Sequence, residues 1–376
     1  MNRLVIIGNG FDLAHKMKTS YYDFIFSYLE NSFIQAMQDR LYEDDIIKIV
    51  RNSHVVVPNI DKMASVNDLL SFNESSRSNA MIIGNILDDD YNERTPKKAF
   101  TLKIKREFIG HLFTKCCDYN WVDIENEYYE SLIKLLDSTD GKIKNKKLEA
   151  LNDSMKLLIS LLNDYLELQK PTHLTTAYIS ILEEEIKKQD VVTVTLPQDF
   201  KPESTLILNF NYTNTIEAYF KDNAGNGQKL QNIKVNFIHG RVNDEGNPII
   251  FGFGDELDSE YSKIESEKRK EFLRFIKSFW YFKTSNYHDL IRFIELKNFQ
   301  VYILGHSCGL SDRTMLNMIF EHSNCKSIKI FYHKTETGNN FTELTQEISR
   351  HFHDKGEMRK KIVPFNKCSP MPQSEK

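Results

Sequence analysis

The chain has 376 residues, enough for two domains or for one domain with a large insertion. Hydrophobic residues make up 40% and charged residues 27%, which excludes disordered and fibrous classes. A formal net charge of −4 speaks against a nucleic acid backbone as the main partner.

No run approaches the roughly 20 apolar residues of a membrane helix. The opening apolar run, 4–7, is too short for a secretory core. Cys116, Cys117, Cys308, Cys325 and Cys368 form no C-x-x-C pair, so neither a disulfide framework nor a zinc site is expected. The expectation is a reduced, cytoplasmic protein with no membrane partner and no metal.

In chain order, residues 3–8 form the first strand. Its apolar residues run without alternation, as in a strand buried on both faces. It leads into Gly8, Asn9, Gly10, Phe11 and Asp12. Glycines let a ligand approach the main chain, and a helix starting here would offer N–H groups to a phosphate. A plain strand-to-helix turn would also use two glycines. The dinucleotide fingerprint G-x-G-x-x-G is incomplete, because Leu13 stands at its third glycine. An ordinary dehydrogenase is therefore disfavoured.

From about 15 to 190 the pattern is mostly helical. In "EALNDSMKLLISLLNDYLELQK", Leu151, Met155, Leu158, Leu162, Tyr165 and Leu166 recur every three or four residues. "TTAYISILEEEIKK" (175–188) has the same style, whereas 40–60 and 77–98 are polar and show no clear period. Within this region, "NWVDIENEYYE" sets Asp123 and Glu127 on one helix face, with Glu125 between them and Trp121 nearby. Acids in a first helical turn also complement the dipole, so a capped helix start is the alternative.

Five late runs read as strands: 205–210, 234–239, 248–253, 299–305 and 327–333. Helices are expected at 212–221, 312–322 and 338–353, with a further helical block at 259–297. The expected fold class is α/β: a Rossmann-like parallel sheet with a large helical insertion between the first strand and the rest. Residues 1–30 and 200–376 would form the core, and 31–199 the insertion.

Three late stretches carry chemistry. "LILNFNYTNTIE" crowds Asn209, Asn211 and Asn214 at a strand end, where open α/β sheets bind ligands; helix capping explains one of them equally well. His239 ends the next strand beside Gly240, and "IIFGFGDE" adds Asp255. "VYILGHSCGLSDRTM" places Gly305, Ser307 and Asp312 after another strand. Gly305, Ser307 and Gly309 also match a G-x-S-x-G nucleophile elbow, but His322, His333, His351 and His353 have no persuasive setting for one.

These stretches together resemble the bacteriophage abortive infection AbiH family. "NGFDLAHKMKTSYYDF", "WVDIENEYYE", "NFNYTNTIE", "FIHGR", "IIFGFGDE" and "LGHSCGLSDRTML" stand in that family's order. The series is also similar, more distantly, to sirtuin-like NAD hydrolase domains of antiphage systems. That resemblance implies Asn211 and His239 as catalytic residues. It implies NAD contacts from Gly8, Asn9, Gly10, Phe11, Asp12, Asn209, Gly305, Ser307 and Asp312. Asn209 and Thr213 depart from the T-x-N-Y-D motif. The four-cysteine zinc module of protein-deacylating sirtuins is absent.

The function expected is an antiphage effector that binds and cleaves NAD, answering to a phage-derived trigger and acting as a homo-oligomer. Two alternatives stay open. One is a non-catalytic nucleotide sensor. The other is a hydrolase or nuclease of another substrate built on Asp123, Glu127 and His239; in the NAD reading Asp255 is a further candidate for a ribose contact, beside Asp12 and Asp312.

Overall fold

The computed structural model describes residues 1–52, 65–66, 69, 99–116, 120–222 and 232–374. Cys117, residues 53–60 of the polar stretch 40–60 and the whole of the stretch 77–98 lie outside them. The chain divides into two compact units. One comprises Met1–Thr19, Glu125–Lys144 and Ile159–Lys376, and the other Ser20–Ile124 and Asn145–Leu158.

The first unit is α/β. Its sheet has five parallel strands: β1 (Asn2–Ile7), β5 (Thr205–Asn209), β6 (Ile233–Phe237), β7 (Phe299–Leu304) and β8 (Cys325–Phe331). They lie in the order β6-β5-β1-β7-β8. In β1, β5 and β7 every residue is buried, as their mainly apolar sequences favour, and the polar Asn2, Arg3, Thr205, Asn209 and Gln300 are buried with them. Alternate side chains feed two cores. Leu4, Ile6, Leu208, Val301, Ile303 and Ile330 join one apolar cluster, with Leu290 and Ile294 of the helix Asn286–Leu296 and Leu316 and Ile319 of the helix Arg313–Glu321. Val5, Ile7, Ile207, Tyr302 and Leu304 join the other, with Phe11, Tyr178, Ile216 and Tyr219. Each such side chain contributes about 1.5–3 kcal/mol by leaving water.

The register fixes where the strands end. Ile7 pairs with both Asn209 and Leu304, so the segments after β1, β5 and β7 emerge side by side. The chain adds β5 and β6 on one side of β1 and β7 and β8 on the other. The order therefore reverses between β1 and β7.

The expected strand at 248–253 does not form. Gly252 has φ +156°, and a Cβ there would lie 2.0 Å from the Phe275 carbonyl oxygen. The segment packs against another backbone and keeps only a single bridge, Phe253 to Ile276.

The second unit departs from an all-helical reading. It holds an antiparallel sheet of β2 (Leu41–Glu43), β3 (Ile47–Arg51) and β4 (Phe100–Ile104). The preceding helix, Tyr21–Asp39, starts at a capping box in which Ser20 and Asp23 satisfy each other's backbone N–H. Asp44 sets the β2–β3 turn by accepting the N–H groups of Ile46 and Ile47 at 2.8 and 2.7 Å. Phe33 of the helix meets Phe100 of β4 edge to face, with centroids 5.2 Å apart. Trp121 packs near Tyr21 and Phe24, at 5.4 and 5.8 Å. The long helix Gly141–Glu167 buries Leu151, Met155, Leu158, Leu162 and Leu166. Tyr165 sits at the margin of that stripe and donates its hydroxyl to the Lys18 carbonyl.

Candidate functional site

The site lies wholly in the sheet unit, at the carboxyl ends of β1, β5, β6 and β7. The turn after β1 and the turn after β7 touch. A Cβ on Gly8 would sit 2.6 Å from the His306 Cα, and one on Gly10 2.8 Å from the Gly305 Cα. Gly305 has φ +71°, and its own Cβ would lie 2.3 Å from the Phe11 nitrogen. Backbone bonds lock this contact. Gly8 N–H donates to Leu304, Gly10 N–H to Gly305, and Phe11 N–H to Gly8. The three glycines thus serve turn-on-turn packing, and these three N–H groups already have acceptors.

Asn9 accepts a 2.7 Å bond from the Thr19 hydroxyl. Asp12 is almost completely buried. One of its carboxylate oxygens accepts the Thr213 hydroxyl at 2.6 Å, and the other, Oδ1, has no partner. Burial pushes its pKa up to about 6, with Thr213's hydrogen bond opposing the rise.

The three asparagines after β5 divide their work. Asn209 donates to the Thr213 carbonyl at 3.3 Å and accepts the Asn211 N–H at 3.1 Å. That is local turn chemistry. Asn211 reaches further: its Nδ2 donates to the Gly8 carbonyl at 3.0 Å, tying the β5 end to the β1 turn. Its chain neighbours bracket two histidines. The Phe210 ring lies 4.7 Å from His239 and 4.2 Å from His306, and Tyr212 stacks 6.5 Å from His239.

Behind these rings is a buried ionic cluster. Lys277, at 1% exposure, bridges Asp312 at 2.8 Å and Glu125 at 2.9 Å. His239 Nε2 stands 3.2 Å from the same Asp312 oxygen and 3.1 Å from the Tyr281 hydroxyl. Gly252 N–H donates to the second Glu125 oxygen at 3.1 Å. His306 Nδ1 accepts the Cys308 N–H at 2.9 Å, so Nε2 carries its proton and turns it toward Asp312, 3.9 Å away. Cys308 has φ +55°, a strained conformation for a residue with a Cβ.

The cluster separates two carboxylates. Burial alone would raise the Asp312 pKa, but Lys277 and then His239 outweigh it and hold Asp312 well below the usual range. Burial dominates at Glu125 and pushes it up, against the pull of Lys277. Asp312 is the ionised member and Glu125 the one that takes up a proton first. Burial lowers His239, with Asp312 opposing, and lowers His306 to about 4. Both imidazoles are neutral at neutral pH.

A family model described as bacteriophage abortive infection AbiH matches residues 4–334. The chain belongs to that family. Membership of the AbiH family carries a role in phage abortive infection. Among curated proteins and among solved structures nothing matches this AbiH chain.

Several expected site residues of the AbiH chain sit together: Gly8, Asp12, Asn209, Asn211, His239, Gly305 and Asp312 belong to the converging strand ends and the cluster behind them. Ser307 is exposed on the β7 turn. It is not poised as a nucleophile: positive φ falls on Gly305 and Cys308, and His351 Nε2 bonds the Cys308 carbonyl at 2.7 Å. Asp255 is buried and pairs with Arg313 at 3.3 Å; burial raises its pKa while Arg313 opposes. Asp123 accepts the Asn120 N–H at 2.7 Å, the bond of a helix start, and Glu127 is half-buried. The cluster uses Glu125, on a different face of the same helix, Trp121–Leu136. In the sequence, Glu125 stands out only as lying between Asp123 and Glu127, with no role, and Lys277 not at all. Lys277 gave no signal in a block of surface-like lysines and glutamates, whereas Glu125 stood beside Ile124, which is fully buried. Among the described residues no group of three His, Cys, Asp or Glu side chains could hold a metal ion, and no helix is long and apolar enough to cross a membrane.

Proposed function

We propose that this chain is an abortive-infection effector that cleaves NAD at the bond between nicotinamide and ribose. The observation that carries the reading is Asn211, a buried amide tied to the Gly8 carbonyl and bracketed by rings that flank His239. Sheet order supports it. Numbered within the sheet, the strands run 3-2-1-4-5, the order of the first five strands of the dinucleotide-binding fold. In such sheets ligands sit where the order reverses, here between β1 and β7. The sirtuin-like order of motifs supports it too.

The residues fit NAD better at its ribose than at its pyrophosphate. The Gly8, Gly10 and Phe11 N–H groups are engaged. Asp12 keeps one buried oxygen without a donor, which a ribose hydroxyl would satisfy. Asn211 would hold the attacking water or a ribose hydroxyl, being both donor and acceptor. With His239 Nε2 held by Asp312 and Tyr281, Nδ1 is the atom left to accept a proton from that water. Water adds to C1′ of the ribose, the C1′–N bond breaks, and its electron pair leaves with neutral nicotinamide. General base catalysis of this kind contributes about 10²–10⁴-fold.

The test is the NAD content of infected cells. Bacteria carrying the wild-type chain should lose NAD after phage infection, and bacteria carrying Asn211→Ala should keep it and lose protection. Protection with NAD unchanged would contradict the reading.

A further inference from the structure

His351 has no part in the chemistry above, yet it is buried and firmly held. Asn317 Nδ2 donates to its carbonyl at 2.8 Å, and its ring packs edge-on to Phe320 with centroids 5.8 Å apart. The N–H groups of His353 and Asp354 donate to Glu321 Oε1 at 2.6 and 3.2 Å. Asn317, Phe320 and Glu321 all belong to the helix Arg313–Glu321, which Asp312 caps. The loop after the helix Phe341–Ser349 is thus fastened to the helix that begins at Asp312. Held there, His351 Nε2 meets the Cys308 carbonyl at 2.7 Å. A carbonyl only accepts, so Nε2 carries the proton.

Cys308 is pinned on both sides of its Cα. His351 holds its carbonyl, and its N–H donates to His306 Nδ1 at 2.9 Å. Between them φ is +55°, which a residue with a Cβ resists. Released from His351, the turn would relax toward negative φ and swing the N–H away from His306. We infer that His351 is a positioning residue of the site: by holding the Cys308 carbonyl it keeps the turn after β7 in the conformation that fixes His306 as its Nε2–H tautomer. The tautomer matters to Asp312. Oδ1 of Asp312 meets Lys277 and His239, and Oδ2 faces His306 Nε2 at 3.9 Å. With the proton on Nδ1 instead, a bare nitrogen lone pair would face that oxygen, and the Nδ1–H would oppose the Cys308 N–H. His351 therefore acts on His239 through Cys308, His306 and Asp312, and touches no substrate. The inference takes the role of His239 from the reading above, whereas the geometry of the turn does not depend on it.

The experiment reads the His306 tautomer in the full chain at neutral pH, by long-range proton–nitrogen NMR correlation. Wild type should show Nε2–H alone. His351→Phe keeps the bulk of the ring without its donor and should show a mixture with Nδ1–H. His351→Gln returns an amide N–H near the Nε2 position and should restore the wild-type pattern. Adding Cys308→Gly to His351→Phe should restore it too, because glycine takes positive φ without strain and keeps its N–H. A side chain that only fills the core would not be rescued in this way. In nicotinamide release from NAD, kcat should fall about 10-fold in His351→Phe with KM within about 2-fold, and both rescues should return it. If His351→Phe does not fold, Asn317→Ala, which frees the His351 carbonyl, should show the same mixture. An Nδ1–H tautomer in wild type, or pure Nε2–H in the folded His351→Phe or Asn317→Ala variant, would overturn the inference and leave the NAD reading standing. The expected tautomers in a chain that leaves NAD intact would overturn that reading and leave the placing of His306 by His351 standing.

Discussion

Lys277 and Asp312 form a 2.8 Å ion pair in which both side chains are almost wholly removed from water. Glu125 shares the same ammonium group at 2.9 Å. A lone cation thus compensates two buried acids, and breaking such a pair leaves uncompensated charge. Lys277→Met should destabilise the chain by about 3–5 kcal/mol in urea unfolding. Lys277→Met combined with Glu125→Gln should recover part of that loss. Equal losses in the single and double variants would show that the two carboxylates do not depend on this lysine.

Asp12 predicts a gain. Its folded pKa, about 6, lies above the usual 3.8, so the folded state holds a proton that the unfolded state has released. The associated stability is full below pH 3.8 and is lost as pH rises through 6. Asp12→Asn abolishes the loss and keeps an acceptor for Thr213. Above pH 7 the variant should be more stable by up to about 3 kcal/mol. Near pH 3 it should gain nothing. A stabilised variant that no longer cleaves NAD would mark Asp12 as a group kept for function at the expense of stability.

The contact between the two turns is tested with glycine substitutions. Gly305→Ala places a Cβ 2.3 Å from the Phe11 nitrogen at φ +71° and should cost about 3 kcal/mol or more. Gly338→Ala, where no atom lies within 4 Å, should be within about 0.5 kcal/mol of wild type. Thermal unfolding of both variants reads the difference. A mild Gly305→Ala would mean that the turns are not in contact.

His306 sets an expectation at low pH. Its folded pKa is lowered to about 4 by burial, from the usual 6.5. Its contribution to stability is present above pH 6.5 and is lost as pH falls toward 4. In an NMR titration its imidazole resonances should stay at their neutral positions down to pH 5. A midpoint near 6.5 in the folded chain would contradict the burial of this ring.

Much of the sheet was legible in the sequence because its central strands are dominated by apolar residues, unbroken in Leu4–Ile7 and interrupted by Gln300 in Phe299–Leu304. Their buried faces needed no tertiary information. The antiparallel sheet was missed for the opposite reason. β3 pairs with β4, about fifty residues away, and both strands are short and interleaved with Lys and Thr. Their alternation, Ile47-Lys48-Ile49 and Phe100-Thr101-Leu102, is a strand pattern that a helical neighbourhood masked. The run 248–253 misled because apolar content alone did not report the backbone that Gly252 had to admit. At the site, residues at strand ends were readable from position. Lys277 was not, since the partners that neutralise it, Glu125 and Asp312, are 152 and 35 residues away in sequence.

The most direct test is nicotinamide release from NAD by the purified full chain, followed by chromatography alongside Asn211→Ala and His239→Ala, with circular dichroism confirming that each variant is folded. The account predicts release by wild type and its loss by about 10²-fold or more in each variant. Release that survives both substitutions, or NAD that is neither cleaved nor able to shift the melting temperature, would contradict it.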